Sequence, residues 1–247
     1  MNAAGAALAY AAAGWPVFPC KPGEKVPDTL RGFKDATTDP AVIRGWWHAR
    51  PNRNVAIATG APGPDVLDVD VKPDGSGFAA FNRLKLAGML AGARALVRTP
   101  SGGLHAYYGG TEQASGRLPR HFLDFKASGG YVLAPPSVVG ARRYELLDRR
   151  RSADGRLDWR AVTRLLDPPK PPARPSGRGS GDLGKLAAWV AALQEGNRND
   201  GLFWAACRAA ETGHADLDAL VAAAVQAGLS EDEARRTVAS AARKVAM

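Results

Sequence analysis

The sequence predicts an α+β domain with a mostly antiparallel sheet, followed by a small all-α helix bundle. Three observations lead there. After residue 94, short apolar runs are joined by hairpin-like connections, which suit an antiparallel sheet better than a doubly wound one. Residues 167–182, DPPKPPARPSGRGSGD, hold five prolines followed by glycine and serine and read as a linker. Residues 183–247 are dominated by Ala, Leu, Arg and Glu and read as helical throughout. The expected division is a mixed domain over 1–166, a linker over 167–182 and a helical domain over 183–247.

Taken in order, residues 3–13 read as an alanine-rich helix ended by Gly14, and WPVFP (15–19) as a short strand. The stretch 3–18 carries no charge, yet no basic segment precedes it and glycine and proline interrupt it. It therefore fits neither a signal peptide nor a membrane span, and a soluble, cytoplasmic protein without membrane contact is expected. An amphipathic helix starts near Pro40 and carries Trp46 and Trp47, one of them turned to the core. NVAIATG (54–60) and DVLDVDV (65–71) read as strands. Residues 77–92 read as a helix with Phe78, Phe81, Leu84, Leu86 and Leu90 as its apolar positions. ALVRTP (95–100) and LHAYYGG (104–110) flank the turn SGG as a hairpin. HFLDFKA (121–127), GYVLAPP (130–136) and RRYELL (142–147) are further strands. In the helical part, Phe203 with Cys207 and Leu217 with Val221 lie four apart and share helix faces. SEDE (230–233) reads as a capping box led by Ser230, and a three- or four-helix bundle follows.

Composition bounds the function. The chain of 247 residues is 45% hydrophobic and 23% charged, as a globular protein is. A net charge of +9 favours an acidic polymer as partner. Two cysteines, Cys20 and Cys207, form no Cys-x-x-Cys pair, so no zinc site is expected. No Gly-x-x-x-x-Gly-Lys-Ser/Thr loop is present, so ATP-driven unwinding would need a separate helicase or a longer protein.

Three stretches carry candidate chemistry. In DVLDVDV, Asp68 and Asp70 lie two apart and so project to one face of a strand, roughly two rises of 3.3 Å from each other. Bare carboxylates at that spacing repel. Either Lys or Arg side chains, Lys72 first among them, or divalent metal ions must stand beside them. In RTPSGGLHAYY (98–108), Ser101 sits at a glycine turn and His105 at the start of a strand. Gly102 and Gly103 allow backbone amides near an anion, although the same residues also make a plain hairpin turn. In LDFKASGGYVLAPPS (123–137), Asp124 interrupts an apolar strand and shares its face with Lys126.

In this order the three stretches resemble the catalytic core of the archaeo-eukaryotic primase superfamily, in its bifunctional primase–polymerase (prim-pol) branch from phages, plasmids and mobile elements. The resemblance extends through GWPVFPC, KVP and GFKDATTDPAVIRGWW (14–47), NVAIATG, LDVDVKPDGSG (67–77) and GGYVLAPPSVVGARRYE (129–145). It implies that Asp68, Asp70 and Asp124 are the catalytic, metal-binding triad, holding two Mg²⁺ or Mn²⁺ ions. It implies that Ser101, Gly102, Gly103 and His105 hold nucleotide phosphates, and that Lys126 contacts the nucleotide or tunes Asp124. Hard divalent ions take carboxylate oxygens, and a two-ion site suits phosphoryl transfer.

The implied function is DNA-template-dependent synthesis of short primers from NTPs or dNTPs on single-stranded DNA, in mobile-element replication. A gap-filling or damage-tolerant polymerase and a non-catalytic single-strand or origin binder are the alternatives. A metal-dependent nuclease is a weaker one. Lys72, Arg98, Arg198 and Asn199 are candidates for nucleic-acid contact or initiation. Lys21, Lys25, Arg31 and Lys34 either follow a template backbone or form a solvated basic loop. EGNRNDGLFWAACRAA (195–210) resembles the helical domain that follows many prim-pol cores and assists initiation. Within it, Asn199 or Asp200 is also the expected helix cap.

Overall fold

The computed structural model describes residues 2–149, 155–168, 172–177 and 180–246. The chain divides into two compact units, Met1–Pro168 and Pro169–Met247.

The first unit opens with helix α1 (Ala3–Ala12), capped by the Asn2 side chain, which accepts from the Gly5 amide. Gly14, at φ +83°, ends it: its amide reaches Ala11 O and the Trp15 amide reaches Tyr10 O, the Schellman pattern. Strand β1 (Val17–Cys20), helix α2 (Pro40–Ala49) and strand β2 (Asn54–Ala58) follow. Pro19 is tolerated because β1 lies at the edge of a three-stranded sheet ordered β1-β2-β10, with β10 at Tyr131–Ala134. Asp39 caps α2 and Pro40 occupies its first turn. Trp47 is buried, while Trp46 is half-buried and packs on the same core.

The main sheet has six strands in the order β13-β6-β7-β3-β9-β8, every neighbouring pair antiparallel. These are β3 (Asp65–Val69), β6 (Ala95–Arg98), β7 (Leu104–Tyr108), β8 (Gly116–Leu118), β9 (Leu123–Lys126) and β13 (Glu145–Arg149). Two ribbons complete the β structure: β4 (Val71–Lys72) with β5 (Gly75–Ser76), and β11 (Val138–Val139) with β12 (Arg142–Arg143). The six-stranded sheet is covered on both faces. Val66, Val97 and Tyr107 face a core shared with the smaller sheet, α1 and α2. Leu67, Val69, Ala106, Leu123 and Phe125 face a second core, closed by α3 (Phe78–Leu86) and α4 (Trp159–Leu166). Burial on both sides explains why Val66, Leu67 and Val69 are all apolar although they point to opposite faces of β3. Each such large side chain contributes about 1.5–3 kcal/mol.

Four sequence expectations for this unit need correction. The strand over 65–71 stops at Val69, and Val71 belongs to the separate ribbon with β5. The helix over 77–92 ends at Leu86, because Gly88 at φ +72° closes it: the Gly88 amide reaches Lys85 O and the Met89 amide Leu84 O. Phe78 and Leu86 are exposed on it, Leu86 by 80%. RRYELL is two elements, β12 and β13, pivoting on Tyr144, whose amide bonds Ser137 O. Strand β8 and helix α4 are additions; α4 is capped by Asp158 and anchored by Trp159 stacked on Phe125 at 5.2 Å.

The second unit holds α5 (Leu183–Ala191), α6 (Arg198–Glu211), α7 (Asp218–Gln226) and α8 (Glu231–Val245) around one apolar core. Leu217 and Val221 are buried in it, Phe203 and Cys207 pack against it, and Ser230 caps α8 by accepting from the Glu233 amide. Asn199 and Asp200 do not cap α6. The cap position is Asn197, and Asn199 Oδ1 instead accepts from the Thr237 hydroxyl of α8. Residues 169–171 and 178–179 of the expected linker lie outside the described residues. Its stretch 172–177 has no helix or strand yet lies against the bundle: Pro172 O accepts from Trp189 Nε1, and the Arg174 guanidinium sits over the Trp204 ring.

Candidate active site

One row of side chains across the six-stranded sheet gathers the chemistry. Asp68 on β3 is directly opposite His105 on β7 and Asp124 on β9. The row continues to Val97 on β6 and Arg117 on β8. Directly opposed residues share a face, and neighbouring strands lie about 4.8 Å apart, so the polar groups touch. His105 Nε2 is 3.4 Å from Asp68 Oδ1. Asp124 stands between two cations, Arg117 Nε at 3.1 Å and Lys126 Nζ at 2.8 Å.

His105 is only 3% exposed, so it is no surface histidine. The rings of Tyr107 and Tyr144 flank it at 6.1 and 5.5 Å. Its Nδ1 is buried with no hydrogen-bond partner. Burial alone would push the Asp68 carboxyl up. The His105 hydrogen bond and charge, with the charges of Lys25 and Lys126, outweigh burial and hold it below the usual carboxylate range. Lys25 is thus electrostatically part of the site. Its loop is pinned there, with the Tyr131 hydroxyl donating to Lys25 O and Asn54 Nδ2 to Glu24 O.

Asp70 stands just past the end of β3. Its amide donates to Phe122 O at 2.9 Å, and its own carbonyl accepts from the Gly77 amide at 2.9 Å. Phe122 adopts φ +50°, a left-handed conformation that side chains disfavour and that tends to mark functional positions. An added Cβ at Gly77 would lie 2.5 Å from Phe122 O, so only glycine permits this clamp. The Asp70 carboxylate pairs with Lys72 Nζ at 3.0 Å. That hydrogen bond and charge raise the Lys72 pKa, and the charge of Asp124 adds to them. Lys72 therefore stands on Asp70, one of the two carboxylates beside which a lysine was expected.

The turn of the β6–β7 hairpin lies at the same end of β3. A Cβ on Gly103 would lie 2.2 Å from Val69 O, so the turn touches the residue before Asp70. Ser101 is exposed, with its hydroxyl 3.0 Å from that of Thr99. The Gly102 amide is engaged inside the turn, donating to Thr99 O. Of the amides expected to face an anion, this one is already used. Arg98 pairs with Glu145 at 3.3 Å, and Arg31 with Asp35 at 2.7 Å.

Arg198 and Asn199 belong to the other unit. Arg198 Nη1 approaches Gly228 O at 3.5 Å, and its Nε is buried with no partner. Asn199 lines an open cleft of about 360 Å³ with Asp200, Phe203, Glu233, Arg236 and Thr237.

Among the described residues, no three His, Cys, Asp or Glu side chains stand close enough to cage a metal. The chemistry of the donors still suits a hard divalent cation. They are carboxylates at one end of one sheet, balanced by Lys72, Arg117 and Lys126, whose long side chains can swing away.

The family model described as "Bifunctional DNA primase/polymerase, N-terminal" matches residues 7–170. The chain belongs to this prim-pol family. Its general function is that of a DNA primase/polymerase, a nucleotidyltransferase acting with a DNA template and nucleotide substrates. No curated protein matches the chain. No helix among the described residues is long and apolar enough to cross a membrane.

In this prim-pol domain, sequence reasoning missed Arg117, Phe122 and Tyr144. Arg117 sits on a three-residue strand with a single large apolar residue, Leu118, so no alternation marks it. Tyr144 lies inside a stretch read as one strand. Phe122 carries no local signal, since nothing in HFLDF announces a left-handed residue.

Proposed function

We propose that this prim-pol domain makes short primers on single-stranded DNA, by nucleotidyl transfer at the Asp68–Asp124 row. Asp68, Asp70 and Asp124 would hold two Mg²⁺ or Mn²⁺ ions. Such a pair of ions, when bound, stabilises the attacking and leaving oxygens of an in-line displacement. The observation that carries this reading is the direct cross-strand pairing of Asp68 with both His105 and Asp124.

Each residue then has a task. His105 orients the Asp68 carboxylate through Nε2 and keeps it ionised. A nucleotide phosphate would meet His105 only where that contact opens. Lys126 supplies positive charge beside Asp124, and Ser101 offers an exposed hydroxyl at the hairpin turn. Phe122 O and the Gly77 amide fix the backbone of Asp70, so its carboxylate can turn without the chain moving. The helical unit would assist initiation, with Arg198 and Asn199 as its candidates. Replication of a phage, plasmid or other mobile element is the proposed setting, with a separate helicase opening the duplex.

Unprimed synthesis tests this. The protein is given single-stranded DNA, labelled NTPs or dNTPs, and Mg²⁺ or Mn²⁺. Short products that disappear in the Asp68→Ala, Asp70→Ala protein are expected. Extension only from an annealed primer would replace the primase with a gap-filling polymerase. DNA binding with no incorporation in either format would leave a binding protein.

A further inference from the structure

Around the three acids stand three cations, each on a carboxylate: Lys72 on Asp70, and Arg117 with Lys126 on Asp124. Arg117 differs from the two lysines. It comes from the outer strand β8, and its side chain is 67% exposed, against 47% for Lys72 and 30% for Lys126. The Arg117 end of the pair lies in solvent, and the 12%-exposed Asp124 carboxylate already has Lys126 at 2.8 Å, so holding the fold together does not account for Arg117. Its contact to Asp124 runs through Nε. A guanidinium has two further amino groups, in a planar fork that matches phosphate oxygens.

A divalent cation reaching Asp124 must displace the cations already there. A triphosphate arriving with it offers those cations a new anion. We propose that Arg117 is a nucleotide-phosphate residue, kept on Asp124 until metal and triphosphate bind together. The inference rests on the polymerase reading and adds a residue to it. Arg117 opposes metal bound alone and favours metal bound with nucleotide, so it strengthens the coupling between the two. Linkage requires that coupling to be the same for either order of binding.

Calorimetric titration of the full chain tests this without turnover, using Mn²⁺ and a non-hydrolysable α,β-imido deoxynucleoside triphosphate. In the wild type, the analogue should tighten Mn²⁺ binding by about fivefold or more. Arg117→Gln should bind Mn²⁺ alone more tightly, bind the analogue more weakly, and show a coupling factor reduced by about half or more. Arg120→Gln removes an exposed positive charge from the neighbouring turn and should leave all three values unchanged. Equal coupling in wild type and Arg117→Gln would overturn the assignment while leaving the polymerase reading standing. The same shift in Arg120→Gln would reduce the effect to general charge and overturn it as well. A wild type that binds neither Mn²⁺ nor the analogue would sink both.

Discussion

Asp65 and Asp68 sit three residues apart on β3, and the protein drives their carboxyls in opposite directions. Asp65 is fully buried; burial pushes its pKa up, and the Thr111 hydroxyl bonding Oδ2 only partly offsets this, while Oδ1 has no partner. Asp68 is held below the ordinary range by His105 despite burial. The signs follow by linkage. The Asp68 contribution is present above roughly pH 4, the unfolded value, and is lost as pH falls through the depressed folded value. Asp65 works against the fold once the pH rises above roughly 4, and more so up to its raised folded value. Asp65→Asn should therefore raise Tm at pH 7.5 by about 2–4 °C, with the gain vanishing near pH 4. Asp68→Asn should lower Tm at pH 7.5, with its loss vanishing in acid. Thermal melts at the two pH values check both. The sequence showed Asp68 as an acid inside an apolar run, but not its partner. His105 lies 37 positions away, and only the β3–β7 register brings the two together.

At the scale of elements, the hairpin β6–β7 was legible and the end of β3 was not. The SGG turn between two apolar runs announced the hairpin, and the structure has it. That β3 stops before Asp70 was not legible, since alternation runs straight through DVLDVDV. The stop is tertiary: Phe122 O and the Gly77 amide take the backbone groups of Asp70. Helix α4 did leave a signal, an Asp158 cap followed by apolar Trp159, Val162 and Leu166, but it is only two turns long and runs straight into the prolines of the linker. The close approach of Gly103 to Val69 gives a prediction at this scale. Gly103→Ala would place a Cβ 2.2 Å from Val69 O and force the turn away from β3. A loss of about 1–3 kcal/mol in denaturant unfolding is expected, with slower nucleotide incorporation because Asp70 is the next residue. An unchanged midpoint would mean that the turn does not bear on the strand.

At the scale of the whole molecule, the proline run suggested a mixed domain, a linker and a helical domain, and the chain divides into two compact units at Pro168 and Pro169. Composition could not show that Pro172 and Arg174 pack on the bundle, because those contacts depend on where Trp189 and Trp204 emerge. The family match covers residues 7–170, nearly the whole of the first unit, and the residues argued to carry the reaction lie within it. Whether the Asp68–Asp124 row performs nucleotidyl transfer is decided most directly by measuring incorporation on a primed template by Asp124→Asn. Asp124 is buried between Arg117 and Lys126, and asparagine keeps its shape while removing its charge, so circular dichroism should match the wild type although the melt loses two ion pairs. If the row is catalytic, incorporation falls by about 100-fold or more at saturating nucleotide and Mn²⁺. A folded Asp124→Asn protein that extends primers at the wild-type rate would contradict that role.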